Sequence, residues 1–183
     1  EIMKKTILLL CLLVPMMANA SFLSGAFALL KFSGSTIECA CNARLATGEN
    51  KVRGEYFYAE LTFSNDKNKI TVSLTCEENP SINRYITFPK NNCKISNEDI
   101  SDSEKMYKIK SGNAAFGYLY ESESGNCWII ITTNIKKQYV EILPLSIEAY
   151  NSEGNPLYDD GSKADCGTIQ SWFRYVTSHW KNN

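Results

Sequence analysis

The sequence predicts a mainly β fold: an antiparallel sandwich or open barrel of about seven or eight strands, with a C-terminal amphipathic helix and disulfide staples. Three observations support this prediction. Polarity alternates with a period of two through most of the chain, the period becomes helical near the C-terminus, and the 183 residues include seven cysteines. With 44% hydrophobic residues, the chain is long enough to bury a core, which excludes a disordered protein.

The strands follow from the alternation of apolar and polar residues. The first strand is predicted at 37–45, and the next two, at 57–63 and 70–76, form the most clearly defined hairpin. The segments 90–104 and 151–165 contain turn residues and few apolar ones, so we expect long loops there. Further strands are expected at 84–88, 106–110, 115–120, 127–133 and 139–150.

Two of these strands carry a special feature. The run from Trp128 to Ile131 is continuously apolar, which favours a central strand buried on both faces. Pro144 lies inside the last predicted strand. Because proline has no N–H for the hydrogen-bond ladder, we expect it at a sheet edge or a bulge.

The C-terminal helix is predicted by a change of period. Thr168 is the expected N-cap. The apolar residues that follow it recur at helical spacing and form one stripe: Ile169, Trp172, Phe173, Val176 and Trp180.

The first twenty residues have the pattern of a secretory signal peptide. Lys4 and Lys5 precede an apolar run at 7–17, and Ala18-Asn19-Ala20 is a small-x-small cleavage site. We favour cleavage after Ala20, which leaves 21–183 as a single disulfide-bonded, β-rich domain in the periplasm or outside the cell. The alternatives are an uncleaved membrane anchor and a lipid-modified Cys11.

The predicted mature chain contains six cysteines, and an even number in an exported protein indicates structural disulfides. Their pairing does not follow from the sequence. Cys39 and Cys41 lie two residues apart in one strand, about 6.6 Å from each other, so they should not bond to each other. The spacing is wrong for zinc or for a redox pair, and we expect no metal and no cofactor. The six are Cys39, Cys41, Cys76, Cys93, Cys127 and Cys166.

Residues for catalysis are scarce. His179 is the single histidine, and its place beside the helical stripe favours a partly packed surface residue. The sequence contains no nucleophile elbow and no phosphate-binding glycine loop. No catalytic residue is therefore assigned, and the chain is not expected to be an enzyme. If the chain is a hydrolase, its catalytic groups would be loop carboxylates such as Glu153 and Asp159. The segment Asp159-Asp160-Gly161 is the candidate for binding a calcium ion.

Aromatic residues provide two candidate contact rows. One contains Tyr56 and Tyr58, and the other contains Phe116, Tyr118 and Tyr120. Exposed rows of this kind suit a protein or glycan partner, whereas buried rows belong to the core. We expect at least one row in the core. The net charge of −1 argues against nucleic-acid binding.

These observations predict an exported, non-enzymatic binding protein. We expect it to neutralise a protein partner such as a toxin or a cell-wall hydrolase, in the manner of an inhibitor or immunity protein. Its contact site would be Tyr158, Asp159 and Asp160 of the acidic loop, where charge steers a basic partner. One alternative is a virulence factor or adhesin that binds host glycan or protein through Tyr58 and Tyr118. The other is a hydrolase of cell-wall polymer. No membrane contact is expected beyond export.

Overall fold

In the part of the chain that the structure describes, an antiparallel sheet of nine strands curls into a half-barrel and is accompanied by a C-terminal helix. This computed structural model describes residues 31–48, 53–133, 137–158 and 161–180. The mainly β fold class predicted from the sequence is confirmed. The predicted signal peptide at 1–20 lies outside the described residues. Within those residues, no helix has the length and hydropathy needed to cross a membrane.

Eight of the nine strands coincide with the segments predicted from periodicity. The ninth strand, Lys94–Asp99, lies inside a segment that was predicted to be a loop. The prediction missed it because this edge strand is mostly polar and shows no alternation of apolar and polar residues. The helix α1 spans Cys166–Trp180, and short 3₁₀ turns occupy Pro80–Ile82 and Lys90–Asn92. The strands are β1 (Thr36–Thr47), β2 (Phe57–Asn65), β3 (Lys69–Thr75), β4 (Arg84–Pro89), β5 (Lys94–Asp99), β6 (Glu104–Ser111), β7 (Ala114–Glu121), β8 (Cys127–Thr132) and β9 (Gln138–Tyr150).

The strand order is β4-β3-β2-β1-β9-β8-β7-β6-β5. Consecutive strands are therefore neighbours, with one exception: β4 and β5 form the two edges of the sheet, although only a short link containing Lys90–Asn92 connects them. The two halves of the sheet meet where β1 pairs with β9, from Thr36↔Tyr150 to Thr47↔Gln138.

The core lies between the sheet and α1. Every residue of the predicted helical stripe is buried. Phe173 is central, because its ring lies 5.3 Å from Phe116 and 5.1 Å from Tyr118, measured between centroids. Phe63 of β2 meets Trp172 edge-on at 4.9 Å. Aromatic pairs at these distances add to the stabilisation that comes from their burial.

The start of α1 differs by one turn from the prediction. Asp165, and not Thr168, is the N-cap: its Oδ1 accepts from the backbone N of Thr168 at 3.0 Å. Thr168 Oγ1 in turn accepts from the backbone N of Asp165 at 3.1 Å. The two side chains thus satisfy each other's backbone donors in a reciprocal cap.

Two strand predictions have opposite outcomes. Burial of β8 on both faces is wrong, because Ile129 and Ile131 are fully buried whereas Ile130 is 36% exposed. Among the described residues, no second layer covers the outer face of the sheet there. The expectation for Pro144 is confirmed: the β1–β9 register shifts at this position, and Leu145 has no partner on β1.

Candidate binding groove

The sheet opens between β8 and β9. These strands pair only from Ile129↔Ile142 to Thr132↔Tyr139, although β9 continues along β1 to Tyr150. Pro144 lies two residues past the last pair, at the bulge, and offers no N–H to a neighbouring strand. The hydrogen-bond ladder therefore ends, and the second half of β9 separates from β8.

A groove of about 740 Å³ occupies this opening. One wall is the second half of β9, from Pro144 to Tyr150. The opposite wall consists of Pro156, Tyr158 and residues 162–166, and Gly125 also lines the space. Described residues of the predicted loop 151–165 therefore form one side of a concave site.

The loop wall is fixed at the start of α1. A disulfide joins Cys166, the first residue of the helix, to Cys127, the first residue of β8. The hydroxyl of Tyr118 donates to the carbonyl oxygen of Cys166. Thr168 Oγ1 donates to the hydroxyl of Tyr158 at 3.2 Å, which holds the aromatic residue of the wall. These contacts preorganise the site.

The backbone at the end of β9 is tied to the loop. Leu157 N donates to the carbonyl oxygen of Ala149 at 2.8 Å, and Asn151 N donates to Asn155 O at 2.9 Å. Ala149 thus directs its backbone groups away from β1 and toward the groove. Because these groups alternate along a strand, Ile147 directs its N–H and C=O to the same side. In the described part of the chain, no strand pairs with this side of β9 between Leu143 and Glu148.

The groove surface mixes apolar and charged side chains. Leu145 is 59% exposed, which is unusual for a leucine in a strand, and Ile147 is half-buried beside it. Glu148, Lys163 and Asp165 supply the charges, and Glu148 accepts a hydrogen bond from the hydroxyl of Tyr150.

Of the residues predicted to contact a partner, those that the structure describes do not form one surface. Tyr158 is half-buried in the groove wall. Asp159 and Asp160 lie outside the described residues. Tyr58 is 54% exposed on β2, which β1 separates from β9. Tyr118 is 1% exposed, so its prediction as a contact residue is corrected: it faces the helix and belongs to the core.

The six cysteines form one disulfide in the structure, Cys127–Cys166. As predicted, Cys39 and Cys41 are not bonded to each other. The remaining four, which the sequence analysis assigned to disulfides, are thiols here: Cys39, Cys41, Cys76 and Cys93.

The first three of these thiols are buried and contribute to the core of the sheet. Cys41 Sγ donates to the carbonyl oxygen of Ala59 on the neighbouring strand at 3.2 Å. Burial raises the pKa of the Cys41 thiol to about 12, and it raises that of Cys39 as well. Both side chains therefore stay protonated at neutral pH and act as small apolar residues.

His179 and Glu153, which the sequence analysis considered for catalysis, lie on different elements of the described structure. His179 is exposed near the end of α1, with its ring stacked 4.1 Å from that of Tyr175 and Nδ1 2.9 Å from Tyr175 O. Glu153 lies exposed in a turn, where its backbone N donates to Asn151 Oδ1. Among the described residues, no three His, Cys, Asp or Glu side chains are arranged to hold a metal ion.

Sequence reasoning found one wall of the groove and missed the other. The loop was singled out for its acidic residues and Tyr158. The signal for the opposite wall was Pro144, because a proline inside a strand marks the end of a ladder. No family model matches the sequence, and a search of curated proteins finds no significant match either.

Proposed function

We propose that this chain is an exported, non-enzymatic binding protein that captures a segment of a partner protein in the groove between β9 and the wall of Pro156, Tyr158 and residues 162–166. The observation that carries the proposal is the groove itself, where one side of β9 has no strand partner among the described residues. Concave sites with apolar walls and a few placed polar groups are the usual form of binding sites.

The composition of the walls supports a protein partner. Leu145 and Tyr158 are large side chains of the kind that dominate interface energetics when a partner covers them. The disulfide and the hydrogen bonds at the start of α1 hold one wall in place, so little conformational entropy is lost on binding.

Neutralisation of a toxin or a cell-wall hydrolase remains the role that we propose. The leader-like sequence at 1–20 and a disulfide both suit an exported protein. The loop 151–165 contains four carboxylates, Glu153, Asp159, Asp160 and Asp165, against the single Lys163. Such an excess of negative charge accelerates association with a basic partner.

A second candidate function rests on the outer face of the sheet. Tyr58 and Tyr85 are 54% and 74% exposed there, and Tyr58 also borders a cavity of about 200 Å³. Exposed tyrosines suit a glycan or protein ligand. This face would serve the adhesin alternative.

The test compares one variant on each surface. Leu145→Arg removes an apolar contact from the groove and opposes a basic partner, whereas Tyr85→Arg makes the same kind of change on the outer face. Each purified, oxidised protein is used to capture partners from source-cell and neighbouring-species extracts, and the bound proteins are quantified by mass spectrometry and then titrated in pure form.

We expect a stoichiometric protein partner whose affinity falls at least about tenfold with Leu145→Arg and changes little with Tyr85→Arg. Equal circular dichroism spectra and thermal midpoints control for folding. The opposite pattern would favour the outer face. A partner that neither variant affects would exclude both surfaces.

A further inference from the structure

We infer that the groove takes its ligand as an added β-strand: an extended, basic segment of the partner protein that pairs with β9 between Leu143 and Ala149. This inference rests on the proposed function and names the occupant of that site. It follows from the backbone of β9, the limits of the groove and its charge.

The backbone supplies the pairing groups. Since the carbonyl oxygen of Ala149 is occupied by Leu157 N, the groups that face the open part of the groove are the Ala149 N–H and the N–H and C=O of Ile147. A row of strand donors and acceptors of this kind pairs with another extended chain. Peptides bind other sheets in this way, with affinity from main-chain hydrogen bonds.

The open edge has defined ends. At one end, β8 occupies the edge up to Ile142, and at the other the Tyr150↔Pro156 bridge closes it. The stretch from Leu143 to Ala149 spans about 20 Å at the usual rise of a strand. The segment that binds there is therefore five to seven residues long, by the same estimate of about 3.3 Å per residue.

A strand fits these features better than a helix does. A helix satisfies its own backbone groups and is about 10 Å wide, so it would leave the Ile147 groups without partners. An added strand lies about 4.8 Å from β9 and bonds to those groups directly.

The charge of the groove selects the sequence of the segment. The lining contains two carboxylates, Glu148 and Asp165, and one ammonium group, Lys163, so its net charge is negative. Lysine or arginine side chains in the ligand complement this excess. Leu145, exposed beside the edge, favours an apolar residue at an alternate position of the added strand.

The probe for the test is a display library of random twelve-residue peptides, selected on the purified, oxidised protein. We expect enriched peptides with a net positive charge whose binding is lost with Leu145→Arg. The best peptide is then synthesised with a single N-methyl group at each position in turn. An added strand loses about tenfold in affinity at every second residue, because alternate N–H groups face β9, and changes little at the residues between.

A variant of β9 tests the same bonds from the protein side. Ile147→Pro removes the N–H that faces the groove and leaves the β1 side intact, because Ile147 directs its backbone groups away from Cys39. The matched control is Ile147→Val, which keeps the N–H. We expect the proline variant to weaken the peptide at least about tenfold and the valine variant less than about twofold.

The outcomes separate this inference from the proposed function. Peptides that bind in the groove without a two-residue period in the N-methyl scan overturn strand addition and leave groove binding intact. A library that yields no peptide sensitive to Leu145→Arg overturns the inference. If Ile147→Pro does not fold, the N-methyl scan on the wild-type protein decides. Enriched peptides with a net negative charge would contradict the inference that the bound segment is basic.

Discussion

Tyr118 in the middle of β7 donates its hydroxyl to the carbonyl oxygen of Cys166, the first residue of α1. The same residue, Cys166, is bonded through sulfur to Cys127 of β8. The start of the helix is thus attached to two neighbouring strands, and Tyr118 is buried beneath it with its ring stacked on Phe173. This attachment joins the aromatic core to the loop wall of the groove.

Replacement of Tyr118 by phenylalanine should lower the free energy of unfolding by about 1 kcal/mol at pH 7, because one buried hydrogen bond is lost. Burial raises the pKa of Tyr118 in the folded state above its unfolded value of about 10. Below pH 10 its contribution is therefore complete, and stability is lost as the pH rises further, since the unfolded chain releases the proton first.

The measurement is urea unfolding of both proteins between pH 7 and pH 11. We expect the wild type to lose stability more steeply than Tyr118→Phe above pH 10. The buried thiols are the same in both proteins, so their contribution to the pH dependence cancels in the difference between the two curves. Parallel curves would show that this hydroxyl contributes nothing to the alkaline transition.

Removal of the disulfide should loosen the loop wall. Cys127 and Cys166 are 39 residues apart, a loop for which the chain-entropy estimate is about 4 kcal/mol. We expect a double alanine variant to lose about 2–4 kcal/mol of stability in chemical unfolding. Hydrogen exchange should also become faster at 161–166, while the β2–β3 hairpin serves as the unaffected internal control. Unchanged exchange in the wall would contradict a tethering role.

The number of free thiols distinguishes the three disulfides expected from the sequence from the single disulfide that the structure describes. After unfolding without reductant, Cys39, Cys41, Cys76 and Cys93 should all be alkylated, whereas Cys127 and Cys166 should not. Three disulfides would leave all six unmodified.

In the folded protein, we expect Cys93 to react first because it is half-buried. Burial raises the pKa of Cys93 too, but it raises that of the deeper Cys41 to about 12, so the reactive thiolate of Cys41 is scarce at pH 8. Peptide mapping over time gives the order of modification. Equal rates at Cys41 and Cys93 would contradict the burial that the structure assigns.

Phe173 should be the most sensitive position of the helix. Its ring contacts four aromatic rings of the sheet, so Phe173→Ala is expected to cost about 3–5 kcal/mol in the free energy of unfolding. Arg174→Ala, on the exposed side of the same turn, should stay within about 0.5 kcal/mol. Chemical unfolding of the two variants measures both free energies. A loss for Phe173→Ala as small as that for Arg174→Ala would contradict the burial of this helix face in the core.

Most of the fold was predictable because its signals are local. Alternation of apolar residues defines eight strands, and the spacing from Ile169 to Trp180 defines the helix. The strand Lys94–Asp99 was not predictable, because an edge strand with polar residues on both faces has no periodicity. The cap was ambiguous because Asp165 and Thr168 both have side chains that cap helices.

The candidate site depended more on relationships between distant segments. Tyr158 could be assigned to a loop from the sequence, but the partner wall depends on where β8 separates from β9. The same limit applies to Tyr118, since alternation places it on a face without saying whether the helix covers that face. Cysteine pairing is likewise a matter of spatial distance, which residue counts do not encode.

The strand order also has a consequence for the order of folding. Each pairing in the described sheet except one joins consecutive strands, and the exception, β1 with β9, joins the first strand to the last. Closing so long a loop costs more entropy than forming a hairpin, and it slows folding. We therefore expect two meanders, β1–β4 and β5–β9, to form first and to meet along β1 and β9 in the slow step. Because Pro144–Tyr150, one wall of the groove, pairs with β1 in that step, this wall is held in the sheet only once the two halves have joined.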